Sequence, residues 1–93
     1  MTLESLKGAL EEMLATLGPI AQKNPTEKVS GGVTEQFNEF LKIAKKGAPQ
    51  NEVVQSIKES PGRESIVDFL SRISALKGAL EGELLKKAAD LKY

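Results

Sequence analysis

Two acidic pairs are the residues here whose type and spacing come nearest to chemistry: Glu11-Glu12 and Glu81-x-Glu83. Neighbouring carboxylates serve as acid and base when their surroundings differ enough to hold one protonated. Both pairs fall at or near the polar face of a helix, where solvated surface charge is the plainer account. Ser60-Pro61-Gly62-Arg63 suggests a helix N-terminus beside an arginine, the kind of place that seats an anion. Gly31-Gly32 is followed by Val33 and Thr34 rather than by the Lys-Ser/Thr of a phosphate loop. The chain has no histidine and no cysteine. That excludes Glu-x-x-His di-iron sites, thiolate metal sites, disulfides, thiol catalysis and an imidazole base. The expectation is a protein that is not an enzyme, with no catalytic residue, metal, cofactor or small-molecule substrate.

Charge narrows the partners. Thirteen basic residues balance thirteen acidic ones, so the formal net charge is zero. Such a surface has no strong field to gather nucleic acid or an anionic membrane. It also gives little repulsion between copies, which favours self-association. Met1-Thr2-Leu3-Glu4 carries acid where a secretory signal carries lysine or arginine. No apolar run approaches the ~18–20 residues that cross a bilayer. These features predict a soluble, cytoplasmic protein with no membrane partner.

The elements that position these residues read as helices. Length alone sets one domain, residues 1–93. The aromatics are Phe37, Phe40, Phe69 and Tyr93, and the remaining apolar residues are mostly Leu, Ile, Val and Ala, a palette suited to helices. Leu3, Leu6, Leu10, Met13, Leu17 and Ile20 alternate threes and fours, predicting a first helix with Thr2 as cap. Gly18-Pro19 predicts its end near Leu17, because a residue before proline is pushed out of helical geometry. Gln22 to Gly32 reads as a mobile loop or a plain connector. A second helix is expected from Thr34 to Lys46, with Lys45, Lys46, Gly47 and Pro49 marking its stop. A short third helix starts around Pro49, carries Val53, Val54 and Ile57, and stops before Ser60. The fourth starts at Pro61 with Ser60 as cap and is the longest, with Ile66, Phe69, Ile73, Leu76, Leu80, Leu84, Ala88 and Leu91 on its apolar stripe. Asp68 with Arg72, and Glu83 with Lys87, are spaced as i,i+4 ion pairs. The fold class is therefore all-α: a small four-helix domain with three shorter helices packed on one long C-terminal helix.

The hexapeptide Leu-Lys-Gly-Ala-Leu-Glu occurs at 6–11 and again at 76–81. It puts Gly8 and Gly78 inside helices, where each glycine costs about 1 kcal/mol against alanine. Ser71, Ala75, Gly78 and Gly82 form a strip of small side chains at spacings of four, three and four. Close approach of another helix is the compensation such a strip predicts. Ser71, Ala75, Gly78 and Gly82, with Leu76, Leu80 and Leu84 supplying apolar area, are the candidate interface residues.

The functional expectation is a protein-interaction module, a small adaptor, regulatory or assembly subunit whose partner is another protein or a second copy of itself. One alternative is a helix-turn-helix regulator built from residues 50–74, with Lys58, Arg63 and Arg72 as DNA contacts. Another is a non-catalytic scaffold subunit of an enzyme complex.

Overall fold

The computed structural model describes residues 1–90. Leu91, which the spacing adds to the apolar stripe, and Tyr93 lie outside the described residues. Four helices follow one another: α1 (Leu3–Lys23), α2 (Gly31–Gly47), α3 (Glu52–Ser56) and α4 (Ile66–Asp90). The three shorter helices pack on α4, and the contact between α1 and α4 is the most extensive. One apolar cluster fills the centre, including Leu6, Leu10, Phe37, Phe69, Ile73, Leu76 and Leu80, all fully buried. Phe37 and Phe69 meet edge to face, centroids 5.4 Å apart, joining α2 to α4.

Local chemistry explains most boundaries. Thr2 caps α1: its Oγ1 accepts from Ser5 N–H at 3.1 Å, and Ser5 Oγ accepts from Thr2 N–H at 3.1 Å, a reciprocal box. Ser30 caps α2 by accepting from Val33 N–H at 3.4 Å, three residues earlier than the apolar pattern alone predicts. At its other end, Gln55 donates to the carbonyls of Lys45 and Ala48, supplying partners the last turn lacks.

Four further features depart from expectation. First, α1 does not end at Leu17 but continues through Pro19 to Lys23. The residue before the proline is Gly18, which has no Cβ to collide with the ring, so the usual objection to helical geometry is weakened. The carbonyl released by the missing N–H belongs to Ala15, which is solvent-exposed. Second, α3 is only five residues long, starts at Glu52 under an Asn51 cap, and leaves Ile57 outside. Third, α4 starts at Ile66, not Pro61. Residues 57–65 form an irregular segment in which Gly62 (φ +86°) and Arg63 (φ +57°) both take the left-handed conformation. Fourth, the connector after α1, expected as a mobile loop or a plain connector, is tied to the segment before α4. Val29 N–H donates to Glu64 O at 3.0 Å and Ile66 N–H to Glu27 O at 2.7 Å, pairing Lys28 with Ser65. Val29 is buried.

A polar knot holds the irregular segment. Asn38 of α2 donates through Nδ2 to Ser60 O at 3.1 Å and accepts through Oδ1 from Ser60 N–H at 2.8 Å. Ser60 Oγ donates to Glu64 Oε1 at 2.5 Å. Arg72 donates from Nε to both Glu64 oxygens, at 2.7 and 2.9 Å, and from Nη1 to Lys58 O at 3.2 Å. The i,i+4 pairing of Arg72 with Asp68 thus gives way to a better-sheltered acid, whose side chain is only 11% exposed. Glu83 likewise accepts from Asn51 Nδ2 at 3.1 Å, tying α3 to α4.

The two hexapeptides occupy equivalent places. Leu6, Leu10, Leu76 and Leu80 are all fully buried. Each copy closes the same i,i+4 ion pair: Lys7–Glu11 at 3.6 Å and Lys77–Glu81 at 2.9 Å. Lys77 also feels Glu11 and Glu81 feels Lys7, so the copies lie side by side and antiparallel about a local two-fold. The hydrogen bond to Glu81 raises the Lys77 ammonium above its ordinary value, and the same bond lowers the Glu81 carboxyl. Gly8 and Gly78 both face solvent, with no atom within 4 Å of an added Cβ.

Two predictions follow from these boundaries and contacts. Gly8→Ala should stabilise the fold by about 1 kcal/mol, the helix-propensity difference. Gly18→Ala should gain nothing or lose stability, because its Cβ meets the Pro19 ring; urea melts of the two variants decide. Arg72→Met should cost about 2 kcal/mol by leaving the Glu64 carboxylate unpaired. Adding Glu64→Gln to it should recover part of that loss, and a double-mutant cycle measures the coupling.

Candidate functional site

The helical period separates the seven candidate interface residues into two faces. Leu76 and Leu80 are 0% exposed, so their apolar area is spent within the monomer, mostly where α1 covers α4. They are not available to an outside partner. Ser71, Ala75, Gly78 and Gly82 point the other way and are exposed. No backbone of this chain approaches the two glycines: nothing lies within 4 Å of a Cβ added at either. Leu84 lies between the two faces and is half-buried.

Seen down its axis, the outer face of α4 carries Val67, Ser71, Ser74, Ala75, Gly78, Gly82, Leu85 and Ala89 within an arc of about 100°. All are exposed, and none is charged. The side of a surface helix opposite the core is ordinarily its most charged side. Two large apolar side chains stand near its ends, Val67 at 46% and Leu85 at 72% exposure. The charges sit on the flanks: Asp68 and Lys86 along one, Lys77 and Glu81 along the other.

Continuity of α4 through Gly78 and Gly82 matters for this face. The helix is unbroken over its 25 residues, so the strip is one continuous surface. It also outruns its cover. The start of α1 reaches only the last turns of α4, where Glu4 and Lys7 border a cleft with Leu84, Leu85 and Ala88. The residues that carry α1 on from Leu17 to Lys23 lie at its far end, beside the start of α4, so they do not shorten the uncovered stretch. It amounts to the turn from Leu84 onward.

A second concavity lies between α1 and α2, a groove of about 230 Å³ whose apolar lining includes Ala9, Met13, Val33 and Phe40. Sequence spacing did not single it out, since it depends on how the two helices splay. Its one charged liner is Glu12.

The remaining candidates are placed as follows. Arg63 is exposed in the turn, and Lys58 is exposed. Arg72 is committed to Glu64 and the Lys58 carbonyl. A helix-turn-helix joins two helices by a three- to four-residue turn. Here a five-residue α3 is followed by the nine residues 57–65 before α4 begins. Nor does Ser60-Pro61-Gly62-Arg63 open a helix, so the premise for an anion seat fails. Among the described residues no group of three or more acidic side chains is placed to hold a metal ion. No helix among them is long and apolar enough to cross a membrane.

No family model, no curated protein and no solved structure matches this chain.

Proposed function

We propose that this chain is a protein-interaction module that engages a partner helix through the outer face of α4. The observation that carries this reading is the uncharged face from Val67 to Ala89, with Leu85 standing 72% exposed on a helix whose opposite side is buried from Ile66 to Leu80. Burying a leucine side chain contributes about 1.5–3 kcal/mol, and nothing in the described monomer covers this one. The absence of charge lowers the desolvation cost of docking. Gly78 and Gly82 let a second backbone come near without a Cβ between. Residues that make a docking helix attractive are thus gathered on one side, and the polar knot at Glu64 and Arg72 anchors that helix at its start.

The reading is of a non-catalytic adaptor or assembly subunit, with self-association as one way of meeting its need for a partner. The helix-turn-helix alternative finds no support in the lengths of α3 and of the segment after it.

Leu85→Glu tests the reading. An exposed substitution away from the core should change folding stability by no more than about 0.5 kcal/mol. It should weaken partner binding by about tenfold or more, the cost of losing one leucine contact. The tagged chain, isolated from its native source, should retain a protein or show a solution mass above its 10.0 kDa monomer; the variant should lose both. A wild-type chain that stays monomeric and retains nothing would rule the reading out.

A further inference from the structure

We propose that the partner of the α4 face is the same face of a second copy of this chain, the two helices running antiparallel and passing each other at Lys77 and Gly78. This rests on the interaction reading above and names its occupant. Small side chains alone would not choose a partner; the order of charges along the two flanks does.

Asp68 and Lys86 lie on the same flank of α4, five turns apart, and both are exposed. In an antiparallel pair related by a two-fold axis, each flank meets the same flank of the other copy. Placing the axis level with residue 77 sets Asp68 beside Lys86 of the second copy, and Lys86 beside Asp68 of the second copy. The pair therefore forms twice. That same register interleaves the apolar ends: Val67 comes to rest between the heights of Leu85 and Ala89 of the second copy, and Ser71 between those of Leu85 and Gly82 of the second copy. The two Gly78 residues sit about 3 Å apart along the axis, where the absence of a Cβ counts most.

The opposite flank is neutral in this arrangement as well. Lys77 and Glu81 already pair at 2.9 Å. Each Glu81 falls about 6 Å along the axis from Lys77 of the second copy, so the two lysines meet with an acid beside each. A parallel pairing lacks these matches, because each flank would then face the opposite flank. Asp68 would lie opposite Leu70, with no cation at its height.

Size sets the strength. Residues 67–89 span about 33 Å, and a helix about 10 Å wide gives a footprint of roughly 330 Å² per copy. That is below the ~800 Å² per partner of a standard stable complex, so the dimer is weak and concentration-dependent.

Sedimentation equilibrium from about 10 μM to about 1 mM spans the affinities an interface of this size reaches. The wild type should show reversible monomer–dimer exchange. Asp68→Lys and Lys86→Glu should each weaken it about tenfold, since each converts two attractive contacts into two repulsive ones. The double variant should return to within about twofold of wild type. Circular dichroism melts, expected to be little changed at these exposed sites, confirm that all three fold. A folded monomer at every concentration overturns the proposal. So does a dimer insensitive to both reversals, or a double variant no better than the singles. Should the chain be monomeric yet still retain another protein in a Leu85-dependent way, the second copy is refuted as occupant while the interaction reading stands.

Discussion

The antiparallel contact between α1 and α4 is the constraint on which the other parts depend. It buries Leu6, Leu10, Met13 and Leu17 on one side and Phe69, Ile73, Leu76 and Leu80 on the other. A domain of this size holds a thin core, and this pair of stripes supplies most of it. The repeated hexapeptide makes the contact nearly self-symmetric, with leucines inward and a Lys–Glu pair along the rim in each copy. Exposed ion pairs of this kind stabilise little in themselves. Their consequence is directional: with the chains reversed relative to one another, each lysine has two acids within electrostatic reach, which a parallel arrangement would not provide. Burial sets the strength of the α1–α4 contact, and the rim charges favour its orientation.

On that pair the rest of the chain leans. Phe69 reaches α2 through Phe37, and Asn51 reaches α4 through Glu83. Apart from the one bridge of Ser65 to Lys28, the irregular stretch from 57 to 65 has no ladder or helix to satisfy its backbone, so side chains take over. Asn38, Glu64 and Arg72 between them hold the backbone of Ser60 and the carbonyl of Lys58. No buried side-chain polar atom is left without a partner among the described residues. A segment with two consecutive left-handed residues thus leads into α4 with its buried polar side chains paired.

Helix type and order were legible because the three-four spacing of apolar residues is a direct image of the buried face. Boundaries were less so, for physical reasons that differ from case to case. At Gly18-Pro19 the rule about residues before proline assumes a Cβ that glycine lacks. At Ser60-Pro61 a good local start signal lost to the turn that follows: the Ser60 hydroxyl does accept from Gly62 N–H, but Gly62 and Arg63 take the left-handed conformation and no helix continues. The pairing of Lys28 with Ser65 spans 37 positions and leaves no mark in either local stretch. The choice of Glu64 over Asp68 by Arg72 likewise depends on a turn whose shape the spacing does not reveal. The candidate interface was legible in part. Its small residues stood out, yet Leu76 and Leu80 were grouped with them although two residues of separation places side chains on opposite sides of a helix. Angle around the helix axis, not nearness along the chain, separates core from surface here and adds Val67 and Leu85 to the outer face.

Gly8 provides an internal control on the meaning of Gly78. Both glycines sit in the same hexapeptide, face solvent and leave open space where a Cβ would go. Each forgoes about 1 kcal/mol of helix propensity, against a total stability of about 5–15 kcal/mol for a domain. Glycine alone therefore cannot distinguish a docking face from a tolerated surface position. The surroundings can. Setting aside the flank Lys–Glu pair that both hexapeptides share, the outward side of α1 carries Glu4 and Glu12 within about 40° of Gly8, so two such faces would repel each other across a two-fold axis. The outward side of α4 carries no charge around Gly78 and flanks of alternating sign beyond it. A glycine in the first setting is open to water and nothing more, whereas in the second it lies at the centre of a surface whose apolar ends and opposite charges match their own reversed copy.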